Sequence, residues 1–179
     1  MVTSNANKAA EVAAYFGGML EVEHVALDVP EHRSDDIGEI AREKARYAFG
    51  MLNTPLIVDD TGFFIDALKG FPGPYAAYVL NSIGNAGILK LMEGMPDRRA
   101  RFTTGIAYAD ETGIRAFTGK IEGTITTSPR GAGGFGYDSI FEVGTKTLAE
   151  ISIDEKSRIS HRARALSAFH DWFIAKLSE

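Results

Sequence analysis

The sequence predicts an α/β or α+β fold, with a mixed central β-sheet flanked by helices. The first observation is that the hydrophobic pattern switches repeatedly between the 3.6-residue period of helices and the two-residue period of strands. The second is that the middle of the chain contains strand-like segments at hairpin spacing. Because 179 residues fit the usual size of one domain, we expect a single domain over residues 1–179.

The first half of the chain contains four expected elements. Residues 7–16 predict a short helix that a pair of glycines ends, and residues 20–27 alternate as a strand does. Residues 36–49 predict a second helix, because a Ser-Asp-Asp run can cap its first turn. Residues 56–58 are typical of a short buried strand, which we expect to end at two acids and a Thr-Gly turn.

The second half is expected to contain a helix, a meander of strands and a long final helix. Residues 85–92 look helical, and residues 101–109 look like a strand that forms a meander with residues 114–117 and 120–126. Residues 157–177 predict the longest helix, because large apolar residues recur there on one face. Those residues are Ile159, Leu166, Phe169, Phe173 and Leu177.

Composition and charge exclude several classes of protein. The formal net charge of −5 disfavours non-specific nucleic-acid binding, because proteins that coat nucleic acids are basic. The absence of cysteine excludes disulfides, thiolate catalysis and cysteine-ligated zinc. No apolar run reaches the ~18 residues of a membrane span, and the N-terminus does not resemble a signal peptide. We therefore expect a soluble, cytoplasmic protein that binds neither nucleic acid nor membrane.

The first candidate site is the segment Thr3-Ser4-Asn5-Ala6-Asn7-Lys8, which precedes the first helix. Small polar residues at a helix N-terminus expose backbone N–H groups that favour an anion, and Lys8 adds a positive charge. The alternative is that Ser4 or Asn5 only caps the helix and that Lys8 is a solvated surface lysine.

The second candidate site lies on the helix over residues 36–49. Lys44 falls in the middle of an apolar stripe at helical spacing, so it either extends to water or lines a cleft that binds an anion. Glu39 lies in the first turn and is directed away from this stripe. That position favours a carboxylate that balances the helix dipole.

The third candidate site is the pair Asp59 and Asp60. Because successive strand residues face opposite sides, the two carboxylates are expected to have different roles. One could face a cleft and bind Mg²⁺, which takes one or two carboxylates together with substrate phosphate oxygens, while the other anchors a loop. The alternative is a pair of turn-forming acids.

The fourth candidate site is the glycine-rich segment over residues 131–136. It matches the pattern G-x-G-x-x-G, but no helix is expected after it, which disfavours a dinucleotide-binding loop. Glycines allow the backbone to approach a flat ligand, and Phe135 or Tyr137 could stack on that ligand. An ordinary loop with core aromatic residues is the alternative.

The fifth candidate site is residues 155–162. Lys156, His161 and Arg162 are basic groups at the expected N-terminus of a helix, where the helix dipole favours acids. Their donors suit a carbonyl oxygen or a phosphate. A solvated basic face is the alternative.

Together these segments resemble the inosine triphosphate pyrophosphatase family, which hydrolyses non-standard purine nucleoside triphosphates. The resemblance extends from residue 3 to residue 162 and follows the family's order. The matching stretches are residues 3–8, 39–45, 58–62, 67–75, 134–138 and 155–162.

The resemblance implies two lobes with a nucleotide cleft between them, Mg²⁺ as the cofactor and a homodimer. Glu39 and Asp60 would bind Mg²⁺, and Asp60 would orient or deprotonate the attacking water. The hydroxyl of Thr61 would bind a phosphate. The other residues expected to hold the triphosphate are Thr3, Ser4, Asn5, Lys8 and Lys44.

The resemblance also implies how the base is bound. Phe135 would stack on the purine, with Gly136, Tyr137 and Asp138 beside it. The residues expected to read the edge of the base are Lys156, Ser160, His161 and Arg162.

The implied reaction is hydrolysis between the α- and β-phosphates, which yields a nucleoside monophosphate and pyrophosphate. Lys8 and Lys44 would stabilise the charge that develops on pyrophosphate. Hypoxanthine and xanthine present a 6-oxo acceptor to the donors at the base, whereas the 6-amino group of adenine would leave those donors unpaired. Two alternatives are a non-catalytic nucleotide sensor and a related pyrophosphatase for modified pyrimidine nucleotides.

Overall fold

The computed structural model describes residues 1–32 and 34–178 and is built around a six-stranded sheet. The strands are β1 (Leu56–Ile65), β2 (Pro72–Gly73), β3 (Arg99–Asp110), β4 (Gly113–Ile125), β5 (Phe141–Val143) and β6 (Lys146–Thr147). They pair antiparallel in the order β2-β1-β3-β4-β5-β6. Val2 adds parallel bridges to Val25 and Val58. The expected α/β fold around a central sheet is confirmed.

Five α-helices accompany the sheet in the described part of the chain. They are α1 (Ala6–Phe16), α2 (Ile37–Leu52), α3 (Ala76–Leu91), α4 (Ile153–Ile159) and α5 (His161–Leu177). None of these helices is both long enough and apolar enough to cross a lipid bilayer.

Helices α2 and α5 cover opposite faces of the sheet. A Cβ on Gly105 would approach the carbonyl oxygen of Ile37 in α2 to 2.7 Å, and one on Gly119 would clash with the carbonyl oxygen of His161 in α5. The two glycines face opposite sides, because the β3–β4 register pairs Gly119 with Thr104, the neighbour of Gly105. Glycine at both positions therefore lets each helix pack closely on its own face.

The hydrophobic core is divided between two lobes, as the expected two-lobed fold requires. Apolar clusters on both faces of the sheet, under α2 and α5, form the core of one lobe. A third cluster, which includes Phe63, Phe141 and residues of α3, forms the core of the other. A cleft lies between them and is lined by residues from both lobes.

Two expectations about the first half of the chain are wrong. Residues 20–27 do not form a strand, because only Val25 pairs with the short N-terminal segment, which turns into α1 a few residues later. No turn follows Asp59 and Asp60 either. Strand β1 continues to Ile65, because β3 provides a pairing partner along its whole length.

One expectation about the later helices is confirmed in part and another is wrong. Residues 85–91 are helical as predicted, but helix α3 already begins at Ala76, and a kink at Gly84, with φ of 63°, divides it. The predicted helix over residues 157–177 is two helices. The backbone of Ser160 is extended between them (φ −66°, ψ 163°), and its side chain caps α5 by accepting the N–H of Ala163.

Candidate active site

The cleft between the lobes has a volume of about 580 Å³ and brings together nearly all of the predicted site residues. This volume lies within the ~300–1,000 Å³ usual for small-molecule sites. Glu39 and Ser160 are the predicted residues that do not line the cleft. Those that do are Thr3, Ser4, Asn5, Lys8, Lys44, Asp60, Thr61, Phe135, Gly136, Tyr137, Asp138, Lys156, His161 and Arg162.

Asp60 is held at the α2 side of the sheet. Its register partner in β3 is Gly105, which lies under α2, and its Oδ1 accepts a hydrogen bond of 2.5 Å from Lys44 Nζ. Burial raises the pKa of Asp60 above its ordinary value, and the neighbouring lysines offset only part of that effect. Lys44 thus lines a cleft, as one of the two readings of its apolar stripe predicts.

Glu31 approaches the same ammonium group from the loop before α2. Its carboxylate lies 2.8 Å from Lys44 Nζ, and its side chain is 81% exposed. Both acids contact Lys44 Nζ, so the carboxylate oxygens of Glu31 and Asp60 are also close to each other. Glu31 is therefore an acidic residue of the cleft that the sequence patterns did not identify.

Asp59 faces the opposite side of the sheet from Asp60 and belongs to a buried ion network. Its Oδ1 lies 3.2 Å from Lys8 Nζ, and its Oδ2 accepts hydrogen bonds of 3.0 and 2.9 Å from Arg162. Burial alone would raise the pKa of Asp59, but the charges of Lys8 and Arg162 outweigh burial and lower it. The expectation that the two adjacent acids have different roles is consistent with this arrangement.

Glu11, on α1, extends the network to α4. Its carboxylate accepts a hydrogen bond from Arg162 and lies 2.5 Å from Lys156 Nζ, which also donates to Asp138 at 2.6 Å. All four side chains are buried. The cations of the fifth candidate segment are therefore not a solvated basic face, because they are paired with buried carboxylates.

The segment before α1 combines a helix cap with a cleft wall. Asn5 Oδ1 accepts the backbone N–H groups of Asn7 and Lys8 at 3.0 and 3.3 Å, so Asn5 does cap the helix. Thr3 Oγ1 accepts the N–H of Asn5 at 3.1 Å, and Ser4 is exposed at the cleft. The side chain of Lys8 is 19% exposed and paired with Asp59, which excludes a fully solvated lysine.

The glycine-rich loop places one aromatic ring at the cleft and another in the core. Lys156 Nζ lies 4.6 Å from the centre of the Phe135 ring, and Asp138 accepts the backbone N–H of Phe135 at 2.8 Å. The buried Tyr137 stacks on Phe63 at 4.5 Å and donates its hydroxyl to the carbonyl of Ala76. Tyr137 is therefore a core residue as well as part of the cleft wall, whereas the ring of Phe135 is the half-buried one.

His161 is buried at the start of α5, in the wall of the cleft. Its Nδ1 is 2.6 Å from Thr104 Oγ1, and its ring lies 4.8 Å from that of Phe102. Burial, followed by the charges of Arg162 and Lys156, lowers the pKa of His161 well below its ordinary value. The imidazole is therefore neutral near pH 7.

Glu39 and Ser160 lie in other environments than those the resemblance implies. Glu39 is exposed in the first turn of α2, where its carboxylate accepts a 2.5 Å hydrogen bond from the Ser34 hydroxyl. This exposed position agrees with the helical pattern of the sequence, which directs Glu39 away from the apolar stripe of α2. The buried hydroxyl of Ser160 accepts the N–H of Ala163 as a helix cap. The hydroxyl of Thr61 is likewise bonded within the protein, to Thr104 and Arg162.

Sequence reasoning missed Glu11, Glu31 and Thr104. Glu11 lies three residues after Lys8 and one before Val12, on the inward face of α1, so the argument applied to Lys44 could have found it. Glu31 lies in an irregular loop, where no helical or strand periodicity of apolar residues indicates which side chains face the cleft. Thr104 pairs with Thr61 across β1 and β3, which only the strand register reveals.

The cleft offers hard oxygen donors for a divalent cation. Across the described residues, no group of three His, Asp or Glu side chains is arranged to hold a metal by itself. Asp60 and Glu31, however, converge on one ammonium group. Mg²⁺ takes one or two carboxylates together with substrate phosphates, so this donor set fits Mg²⁺ bound with a polyphosphate rather than alone.

Comparisons with known proteins agree with the fold. A model of the Ham1 family matches residues 1–172. A dITP/XTP pyrophosphatase of Methanopyrus kandleri is 49% identical over 93% of this chain and 89% of its own length. Inosine triphosphate pyrophosphatase 1 of Trypanosoma cruzi is 44% identical over 97% of this chain and 90% of its own length. The solved structure of a HAM1 protein from Coxiella burnetii has a TM-score of 0.84 and 30% identity, and covers 97% of this chain and 96% of that one. The chain belongs to the Ham1 family.

Proposed function

We propose that this protein hydrolyses non-canonical purine nucleoside triphosphates, such as dITP, ITP and XTP, to the monophosphate and pyrophosphate. The observation that carries the proposal is one cleft lined by two chemically different sets of side chains. Lys8, Lys44 and Asp60 carry charge, whereas Phe135 and the neutral His161 offer flat rings. The similar proteins of Methanopyrus kandleri and Trypanosoma cruzi are named for this activity.

The cationic side chains of the cleft suit the triphosphate. The N-terminus of α1 carries the positive end of a helix dipole, and Lys8 and Lys44 stand on the two sides of β1. Both lysines are already paired with aspartates, so they are held in place before the substrate arrives. Such preorganised charges stabilise the negative charge that develops on the leaving pyrophosphate.

Asp60 is the proposed general base. Lys44 occupies its Oδ1, which leaves Oδ2 to accept the proton of the attacking water. Burial raises the pKa of Asp60, and a carboxylate with a raised pKa is a better base near neutral pH. No covalent intermediate is needed, because in-line attack by water depends mainly on positioning.

Mg²⁺ is the proposed cofactor, and Asp60 and Glu31 are the residues that would hold it. When bound, Mg²⁺ neutralises phosphate charge and makes a bound water more acidic. The resemblance implies Glu39 in place of Glu31. We prefer Glu31, because its carboxylate lies at Lys44 beside Asp60, whereas Glu39 does not line the cleft.

The aromatic side chains of the cleft suit a flat base with a 6-oxo group. Phe135 offers a ring to stack on, and Lys156 and His161 offer donors. A 6-amino purine would leave a buried donor unpaired, at a cost of about 1–3 kcal/mol for each donor.

A homodimer in the cytoplasm is proposed as well. Three large apolar side chains near the start of α3 are exposed, namely Phe71, Tyr75 and Tyr78, and they could contact a second copy. The absence of cysteine suits a reducing compartment. Sedimentation equilibrium tests the dimer, since a monomer at micromolar concentration would contradict it.

A pyrophosphate-release assay with dITP, ITP, XTP, ATP and GTP, with Mg²⁺ and with EDTA, tests the proposed function. We expect rapid release only from the 6-oxo substrates dITP, ITP and XTP, only with Mg²⁺, and not from the Asp60→Asn variant. Tight ITP binding without turnover would favour the nucleotide sensor. Turnover of modified pyrimidine triphosphates in place of ITP would favour the related pyrophosphatase.

A further inference from the structure

A chain of hydrogen bonds links Arg162 to His161 through two threonine hydroxyls. Arg162 donates to Thr61 Oγ1 at 3.1 Å, and Thr61 Oγ1 lies 2.7 Å from Thr104 Oγ1. Thr104 Oγ1 in turn lies 2.6 Å from Nδ1 of His161. The two threonines are register partners on β1 and β3, so the sheet itself holds the chain together.

The donors at one end of this chain determine its direction. A guanidinium group can only donate, so Thr61 Oγ1 accepts from Arg162. Each threonine hydroxyl has one proton to give. If Thr61 donates to Thr104, then Thr104 donates to His161, and Nδ1 is the acceptor. The bonds then run head to tail from Arg162 to Nδ1, so that each bond polarises the next.

The reverse direction breaks this order at Thr61. If Nδ1–H donated to Thr104, and Thr104 donated to Thr61, then Thr61 Oγ1 would accept from both Thr104 and Arg162. Its own proton would have no acceptor among the described residues and would face the cleft. Hydrogen bonds that run head to tail strengthen one another, which favours the first direction.

The surroundings of His161 hold the ring and its charge state. Phe102 lies against the ring at 4.8 Å with an angle of 31° between the planes, which limits rotation. Burial and the nearby cations keep the imidazole neutral, so it carries one ring proton. Because Nδ1 accepts from Thr104, that proton is on Nε2. His161 lines the cleft, and its Nε2 has no hydrogen-bond partner in the described part of the chain.

We propose that Thr104 is a positioning residue that fixes His161 as the Nε2–H tautomer, so that the neutral imidazole presents a donor to the 6-oxo group of the base. The substrate part of this inference rests on the proposed function. The tautomer part concerns the free protein alone. In this arrangement the selectivity for 6-oxo over 6-amino purines depends on two hydroxyls that do not touch the base.

The tautomer can be measured by long-range ¹H–¹⁵N NMR of the free protein at pH 8, with His161→Gln used to assign the signal. We expect Nε2–H in the wild type and in Thr104→Ser, which keeps the hydroxyl. Thr104→Val has the same shape without the donor, and we expect its spectrum to show Nδ1–H or a mixture. Thr103→Val is the matched control, because Thr103 is the neighbouring residue on the opposite face of β3.

Selectivity is measured as the ratio of kcat/KM for ITP to that for ATP, or as the ratio of their affinities if turnover is absent. We expect Thr104→Val to lower this ratio about tenfold, mainly through KM for ITP, which corresponds to one hydrogen bond. Thr104→Ser should restore the ratio, and Thr103→Val should leave it unchanged.

Several results would overturn the proposal. An Nδ1–H tautomer in the wild type removes its basis, whatever the activity. Thr104→Val with an unchanged tautomer, or with an unchanged ITP/ATP ratio, shows that Thr104 does not position the imidazole for base selection. An Nε2–H tautomer in a protein that neither binds nor hydrolyses 6-oxo purine nucleotides would instead refute the proposed function and the substrate part of the inference.

Discussion

Asp59 and Asp60 are consecutive residues of one strand, yet they bind different lysines on opposite faces of the sheet. Asp59 Oδ1 lies 3.2 Å from Lys8 Nζ, and Asp60 Oδ1 lies 2.5 Å from Lys44 Nζ. The alternation of a β-strand thus separates a carboxylate in the buried network of Arg162 from one that pairs with Lys44 at the α2 side of the sheet.

The two aspartates should respond differently to the same substitution. We expect Asp60→Asn to lower kcat about 10³-fold with little loss of stability, because a general base contributes ~10²–10⁴-fold. Asp59→Asn should lower the free energy of unfolding by about 3–5 kcal/mol, because it removes the buried carboxylate that pairs with both Arg162 and Lys8. Steady-state kinetics and urea unfolding of both variants measure this difference. Equal effects of the two substitutions on kcat would contradict it.

Lys44 should contribute to catalysis beyond its ion pairs. We expect Lys44→Gln to lower kcat about 10²-fold, because it removes a preorganised charge from the leaving pyrophosphate. Lys90→Gln is the control, since Lys90 lies on α3 with its side chain 75% exposed and should change kcat little. An unchanged kcat in Lys44→Gln would remove this lysine from the catalytic site.

Glu31 and Glu39 can be distinguished by their effect on the requirement for Mg²⁺. We expect Glu31→Gln to raise the Mg²⁺ concentration for half-maximal activity at least tenfold, by analogy with the ~10–100-fold losses seen when groups that support a metal site are changed. Glu39→Gln is the matched control and should leave the requirement close to that of the wild type. The reverse order of effects would favour the metal site that the resemblance implies.

His161 should make the stability of the protein depend on pH. The pKa of His161 is lowered in the folded protein, whereas histidine in an unfolded chain titrates near pH ~6.5. Below that pH the unfolded chain binds a proton that the folded protein does not, so the free energy of unfolding falls by up to about 1.4 kcal/mol per pH unit. This loss continues until the pH reaches the folded pKa.

Chemical unfolding of the wild type and His161→Gln between pH 8 and pH 5 measures the effect. The other histidines are common to both proteins, so their contributions cancel in the difference. A difference in unfolding free energy that stays constant over this range would show that His161 protonates as easily in the folded protein as in the unfolded chain.

Arg162 should be important for stability as well as for the base. We expect Arg162→Ala to lower the free energy of unfolding by about 3–5 kcal/mol, because Asp59 and Glu11 would remain buried without this cation. Arg164→Ala, at an exposed position of the same helix, should cost less than about 1 kcal/mol. Urea unfolding compares the two variants. Similar stabilities would mean that the network around Arg162 contributes little.

The helices that were predicted best are those whose signals are local. The apolar stripe of α2 and its cap at Asp36 depend on neighbouring residues, so the pattern located this helix and the inward position of Lys44. The predicted turn at Thr61-Gly62 was wrong, because the structure of this segment depends on a distant part of the chain. A long antiparallel partner, β3, extends β1 through polar residues that look like a turn when read alone.

The sequence by itself determined the α/β class, the inward lysine of α2, the separation of Asp59 from Asp60 and the family resemblance. All of these follow from periods and motifs within short stretches of chain. Tertiary structure alone decided that Glu31 meets Lys44 beside Asp60, that Glu11 pairs with Arg162, and that Thr104 reaches His161. These pairs join residues from different elements. Their contacts depend on strand register and helix packing, which local patterns do not contain.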